Sequence, residues 1–125
     1  MPVHINLTVA DVGRSLAFYR RWLGFGEVDR RFPDGTVFVR DAEGTDLALH
    51  AGARADGPPA GFHFGFRRAH ASDVDALYGA LRAGGVAVIE HEASPTLSSV
   101  RFCDPDGYVV EVYWESPTPG GEAPS

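Results

Sequence analysis

The sequence predicts an α+β protein built from two βαβββ modules, and three observations predict it. An extended stretch with strict apolar alternation opens each half of the chain, one helical period follows it, and three further extended stretches complete the half. A histidine sits in the opening strand of each half, His63 following His4 by 59 residues. Self-similarity at such a period marks a duplicated unit, and each half alone carries too little apolar surface to fold by itself. The halves must therefore pack together.

In the first half, Val3-His4-Ile5-Asn6-Leu7-Thr8-Val9 alternates, with Val3, Ile5, Leu7 and Val9 on one face and His4, Asn6 and Thr8 on the other. That is the pattern of a half-buried strand. Asp11 can cap the next element, in which Val12, Leu16, Tyr19 and Leu23 recur at helical spacing until Gly24, so a helix spans about Val12 to Leu23. Three extended stretches, Phe25 to Arg31, Thr36 to Arg40 and Asp46 to His50, are parted by the turn signals Pro33-Asp34-Gly35 and Glu43-Gly44.

Gly52 to Gly61, rich in Ala, Gly and Pro, reads as a linker. Phe62-His63-Phe64-Gly65-Phe66 then alternates as the first strand did. Ser72, with Asp75 three residues later, opens a helix carrying Val74, Leu77 and Leu81, which Gly84-Gly85 ends. Val86 to His91, Leu97 to Cys103 and Tyr108 to Trp114 supply three strands, the last two joined across Asp104-Pro105-Asp106-Gly107. The expected organisation is a single domain over residues 1–115, with modules at about 3–51 and 62–115 and a linker at 52–61. The Pro- and Gly-rich tail, 116–125, is expected to be disordered.

Composition narrows the function classes. The 125 residues suffice for one sizeable core and are too few for two ordinary domains. An apolar fraction of 44% is ordinary for a soluble protein, and no apolar run approaches the ~20 residues that cross a bilayer. The opening MPVHINLTV lacks the regions of a signal peptide, so a cytoplasmic location is expected. Cys103 stands alone with no evident activating neighbour and is expected to be a core residue rather than a nucleophile. A formal charge of −6 without a basic cluster argues against nucleic acid and anionic membrane as partners. A neutral or cationic small ligand is easier to accommodate.

Three residues carry the chemistry. Alternation turns His4 and His63 away from the bulky apolar positions of their strands, and Glu111 is a lone carboxylate within Tyr108-Val109-Val110-Glu111-Val112-Tyr113-Trp114. An ionised carboxylate in an apolar strand needs a partner, and a divalent metal is the natural partner for two imidazoles and one carboxylate. Two histidines and a carboxylate form the facial triad that suits Fe(II) or Mn(II) with open positions, and Zn or Ni can also bind it. The bland alternative is that each histidine is a satisfied structural residue, as a lone strand histidine more often is. Asn6, Thr8, Arg40, Arg67, Arg101 and Tyr113 share the same faces if the alternation holds, and would then orient a ligand.

The chain resembles the vicinal-oxygen-chelate superfamily of glyoxalases, extradiol dioxygenases, and fosfomycin- and bleomycin-resistance proteins. The resemblance runs from Val3 to about Trp114 and is strongest in His4 to Tyr19 with Leu23-Gly24-Phe25, and in Asp104 to Glu111. It implies two modules forming one curved mixed β-sheet around a divalent metal, with His4, His63 and Glu111 as ligands, and a homodimer. Glyoxalase I adds a fourth ligand, a carboxylate in the last strand of the first half that also serves as a base. Here the matching run is Leu47-Ala48-Leu49, with Ala48 at the place of Glu111, so that isomerase activity is not expected. His50, on the same face as Ala48, is left as a secondary ligand, a proton shuttle or a residue of the sheet rim. The resemblance implies a metal-dependent dioxygenase- or lyase-type enzyme acting on a small substrate with adjacent oxygens. The alternative is a dimeric protein that sequesters a drug or natural product without catalysis.

Overall fold

The computed structural model describes residues 3–52, 58 and 60–117. Most of the linker and the tail from residue 118 onward, where disorder was expected, lie outside the described residues. The elements run β1 (His4–Val9), α1 (Val12–Leu23), β2 (Val28–Arg31), β3 (Val37–Arg40), β4 (Asp46–Ala51), β5 (His63–Arg67), α2 (Ala71–Ala83), β6 (Val88–Ala93), β7 (Leu97–Cys103) and β8 (Val109–Glu115). Two βαβββ modules are therefore present. Each forms a four-stranded mixed sheet, in the order β1-β4-β3-β2 in the first and β5-β8-β7-β6 in the second.

The registers of the modules match. In the first, β1 runs parallel to β4 with Asn6 opposite Ala48, and β3 runs antiparallel with Phe38 opposite Ala48. In the second, β5 runs parallel to β8 with Gly65 opposite Glu111, and β7 runs antiparallel with Arg101 opposite Glu111. A one-residue slip would move every apolar side chain to the wrong face, which is why alternation specifies the pairing so strongly.

The chain divides into two compact units, the first comprising residues 1–60 with 104–107, the second the remainder. In the first unit α1 packs on β4. Asp11 caps α1 by accepting from the Arg14 backbone N–H at 3.0 Å. Gly24 ends the helix at φ 75°, in the left-handed region that glycine enters without steric cost. Tyr19 and Leu23 point into a core formed with Leu7, Val9, Val37, Val39, Leu47 and Leu49. The turn 104–107 adds two carboxylates to this unit. Tyr19 Oη donates to Asp104 Oδ2 at 2.7 Å, while Asp106 accepts from the Ala10 backbone N–H at 2.9 Å and from Ser15 Oγ at 3.2 Å.

In the second unit α2 packs on β7 and β8, burying Val74 and Leu81 with Val100, Phe102, Val110 and Val112. The helix starts one residue before the expected Ser72. His70 takes the cap position without a side-chain hydrogen bond, so the Ser72 capping box does not form. Strand boundaries also shift. Phe25 and Gly26 are not in β2: the Phe25 N–H bonds back to Tyr19 O after the Gly24 cap, and the Gly26 N–H reaches forward to Arg40 O. Cys103 is half-buried rather than in the core, since it shares the face of Arg101. No helix among the described residues is long and apolar enough to cross a membrane.

Candidate metal-binding site

Strand pairing determines which side chains meet on the polar face of the second sheet. Val110 and Val112 are fully buried, so the intervening Glu111 is turned to the opposite face, with Ser99 and Arg101 from β7 beside it. Its two oxygens have different surroundings. Ser99 Oγ donates to Oε2 at 2.7 Å, and Arg101 Nε lies 3.6 Å from that same oxygen. Oε1 instead lies 3.4 Å from His63 Nε2.

The His63–Glu111 contact is longer than a charge-assisted hydrogen bond of about 2.7–2.9 Å. It matches two donors sharing an ion. Donors each ~2.1 Å from a metal stand about 3.0 Å apart at a right angle and about 3.4 Å apart at a tetrahedral one. The separation of the pair is thus compatible with a shared transition-metal ion, and an imidazole with a carboxylate is a donor set suited to Mn, Fe and Zn. The side chains are 36% and 20% exposed, shielded yet within reach of solvent.

Gly65, directly opposite Glu111, makes this approach possible. A Cβ there would stand 2.9 Å from the Glu111 carbonyl oxygen and 3.4 Å from Glu111 Cβ. Tyr113 also borders this space, with Cε1 3.6 Å from the same point. Arg67, next on β5, pairs loosely with Glu115 at 3.8 Å.

The remaining expected residues belong to the first sheet. His4 is exposed on β1 opposite Asp46, its ring stacked on Phe38 at 5.7 Å. Asn6 lies exposed opposite Ala48, and Thr8 half-buried opposite His50. Arg40 closes on Asp46, Nε to Oδ1 at 2.9 Å. His50 Nδ1 lies 2.9 Å from Thr36 Oγ1 and 3.8 Å from Asp34 Oδ2. The Thr36 backbone N–H and then its hydroxyl hold the Asp34 carboxyl below the usual range. His50 is thereby tied to the turn before β3. Ala48, in the register position of Glu111, is buried and offers no donor. Among the described residues no group of three or more His, Cys, Asp and Glu side chains is gathered as a metal site. His63 and Glu111 are the two expected ligands that the structure brings together.

Sequence reasoning missed Ser99, which orients Glu111, and Gly65, which makes room for it. Only the isolated glycine within an otherwise bulky strand hinted at a close approach.

A family model describing the glyoxalase/bleomycin resistance protein/dioxygenase superfamily matches residues 2–112. The chain belongs to this superfamily. Within it, the chain is 33% identical over 122 residues to the manganese-dependent 2,3-dihydroxybiphenyl 1,2-dioxygenase of Geobacillus genomosp. 3. That match covers 93% of this chain but 37% of the relative, so the chain spans little more than a third of the enzyme's length. Among solved structures, a possible glyoxalase from Bacillus cereus aligns with a TM-score of 0.75 at 27% identity, covering 90% of this chain and 96% of that one. A lactoylglutathione lyase from Agrobacterium tumefaciens aligns with a TM-score of 0.69 at 25% identity, covering 90% and 91%.

Proposed function

We propose that this superfamily member is a metal-dependent enzyme in which His63 and Glu111 hold a divalent ion, Mn(II) in the first instance. The observation that carries this reading is the His63 Nε2 to Glu111 Oε1 separation of 3.4 Å, with the other carboxylate oxygen anchored by Ser99. The manganese dependence of the Geobacillus relative supports the choice of metal. A bound ion would act as a Lewis acid, accepting two adjacent substrate oxygens and stabilising negative charge as it develops. The chain's own residues do the rest. Ser99 holds one Glu111 oxygen, which leaves the other beside His63, and Gly65 keeps the adjoining strand close.

The proposed substrate is a small compound with adjacent oxygens, such as a catechol, an α-hydroxy ketone or a phosphonate. Glyoxalase I activity is not part of the proposal, because Ala48 stands where a fourth ligand and base would be needed. The protein is proposed to work as a homodimer, which sedimentation at micromolar concentration tests. Calorimetry across such compounds, with and without Mn(II), Fe(II) or Zn(II), tests the function. Metal-dependent binding followed by product formation is expected. Tight binding of an aromatic natural product, equal in both states and without product, would replace this reading with sequestration.

A further inference from the structure

We infer that Arg101 anchors an anionic group of the ligand, so that the compound taken at this site carries a carboxylate or equivalent oxyanion beside its adjacent oxygens. The inference rests on the metal-site reading above and names its substrate class. Arg101 sits on β7 between two carboxylates, Glu111 opposite it on β8 and Glu90 opposite it on β6. Neither meets it at hydrogen-bond distance. Its Nε is 3.6 Å from Glu111 Oε2 and 3.7 Å from Glu90 Oε1.

That Nε is buried and has no hydrogen-bond partner among the described residues. The side chain as a whole is 36% exposed, so its accessible area lies on the other atoms. A guanidinium carries five N–H donors and does not deprotonate in proteins; with Nε covered, the exposed terminal N–H groups are the ones a ligand can reach. An arginine serving only to ladder strands closes on its carboxylate, as Arg40 does on Asp46 at 2.9 Å in the first sheet. At Arg101 the Ser99 hydroxyl already occupies Glu111 Oε2. Committing Glu111 to an ion weakens Arg101's countercharge further. What the planar fork then lacks is an oxyanion, which it binds in bidentate geometry. The chain's formal charge of −6 does not itself draw anions, so a preference for them must come from a local group such as this one.

The test uses the full chain loaded with Mn(II), under nitrogen to prevent turnover, and calorimetry with four probes. These are 2,3- and 3,4-dihydroxybenzoate, each compared with the uncharged 3- or 4-methylcatechol. At least one carboxylated isomer should bind about tenfold more tightly than its methyl counterpart, as a hydrogen bond to a charged group provides. Arg101→Met should abolish that preference while leaving the methylcatechols bound, and Arg101→Lys, which keeps charge but loses the fork, should give an intermediate ratio. Mn(II) affinity, read separately by electron paramagnetic resonance, should not fall in either variant, because a cation beside Glu111 opposes the ion. Should Arg101→Met fail to fold, Arg101→Lys carries the test, and an undiminished preference in it overturns the inference. Equal affinities in the wild type, or a preference that survives Arg101→Met, overturn the inference and leave the metal site standing. Binding of none of the four probes by the Mn(II)-loaded chain overturns the inference, whereas a chain that takes up no Mn(II) overturns the functional reading and the inference with it.

Discussion

Replacing Tyr19 with Phe isolates a single buried hydrogen bond that joins α1 to the turn before β8. The phenol is fully buried, Asp104 is 5% exposed, and Tyr19 Oη donates to Asp104 Oδ2 at 2.7 Å. The ring itself stays in place, edge-on to Phe18 at 5.4 Å and to Phe25 at 6.2 Å, so the substitution opens no cavity. The loss is then that of a hydrogen bond to a charged group, about 2 kcal/mol. With a urea dependence of about 2 kcal/mol per molar, the unfolding midpoint should fall by about 1 M. Urea unfolding followed by circular dichroism measures it, and a double-mutant cycle with Asp104→Ala should return a coupling of about 1–3 kcal/mol. A Tyr19→Phe protein within about 0.5 kcal/mol of wild type, or a cycle that is simply additive, would refute the reasoning.

Gly65→Ala should destabilise the protein by about 1–3 kcal/mol, because its Cβ would meet the Glu111 carbonyl oxygen at 2.9 Å. Thermal unfolding checks this, and an unchanged midpoint would show that β5 can shift freely. Ser99→Ala should leave the fold intact yet weaken Mn(II) binding by about tenfold or more, as loss of a group orienting a ligand does; titration with unchanged affinity would contradict that role. His50→Ala should cost less than about tenfold in the same titration, because the imidazole is tied to Thr36 and the 34–36 turn. A larger loss would make His50 a ligand.

Local signals were legible and distant ones were not. Asp11 and Gly24 bound α1 where expected, because a cap acts within three or four residues of its own position. Ser72 misled because it falls inside the first turn of α2, where a capping residue has no role. The alternation around His63 and Glu111 placed both on one face of the second sheet, since a two-residue period needs no tertiary information. It carried no mark of Ser99 or Gly65, whose roles arise only when β7 and β5 pair with β8. In the sequence, the turn Asp104-Pro105-Asp106-Gly107 reads as the connection between the last two strands. Its bonds to Ala10, Ser15 and Tyr19 span 85 to 96 residues, a distance over which neither periodicity nor propensity speaks.

The claim that this chain is a metalloprotein is tested most directly by titrating Mn(II) into the full chain and its Glu111→Gln variant, with free ion read by electron paramagnetic resonance. Gln keeps the shape of the side chain and an oxygen for the Ser99 hydroxyl, but removes the charge. The account predicts a single Mn(II) per chain in the wild type and an affinity at least about a hundredfold weaker in the variant. A wild type that leaves Mn(II) free, or a Glu111→Gln protein that binds it as well as wild type does, would contradict the account.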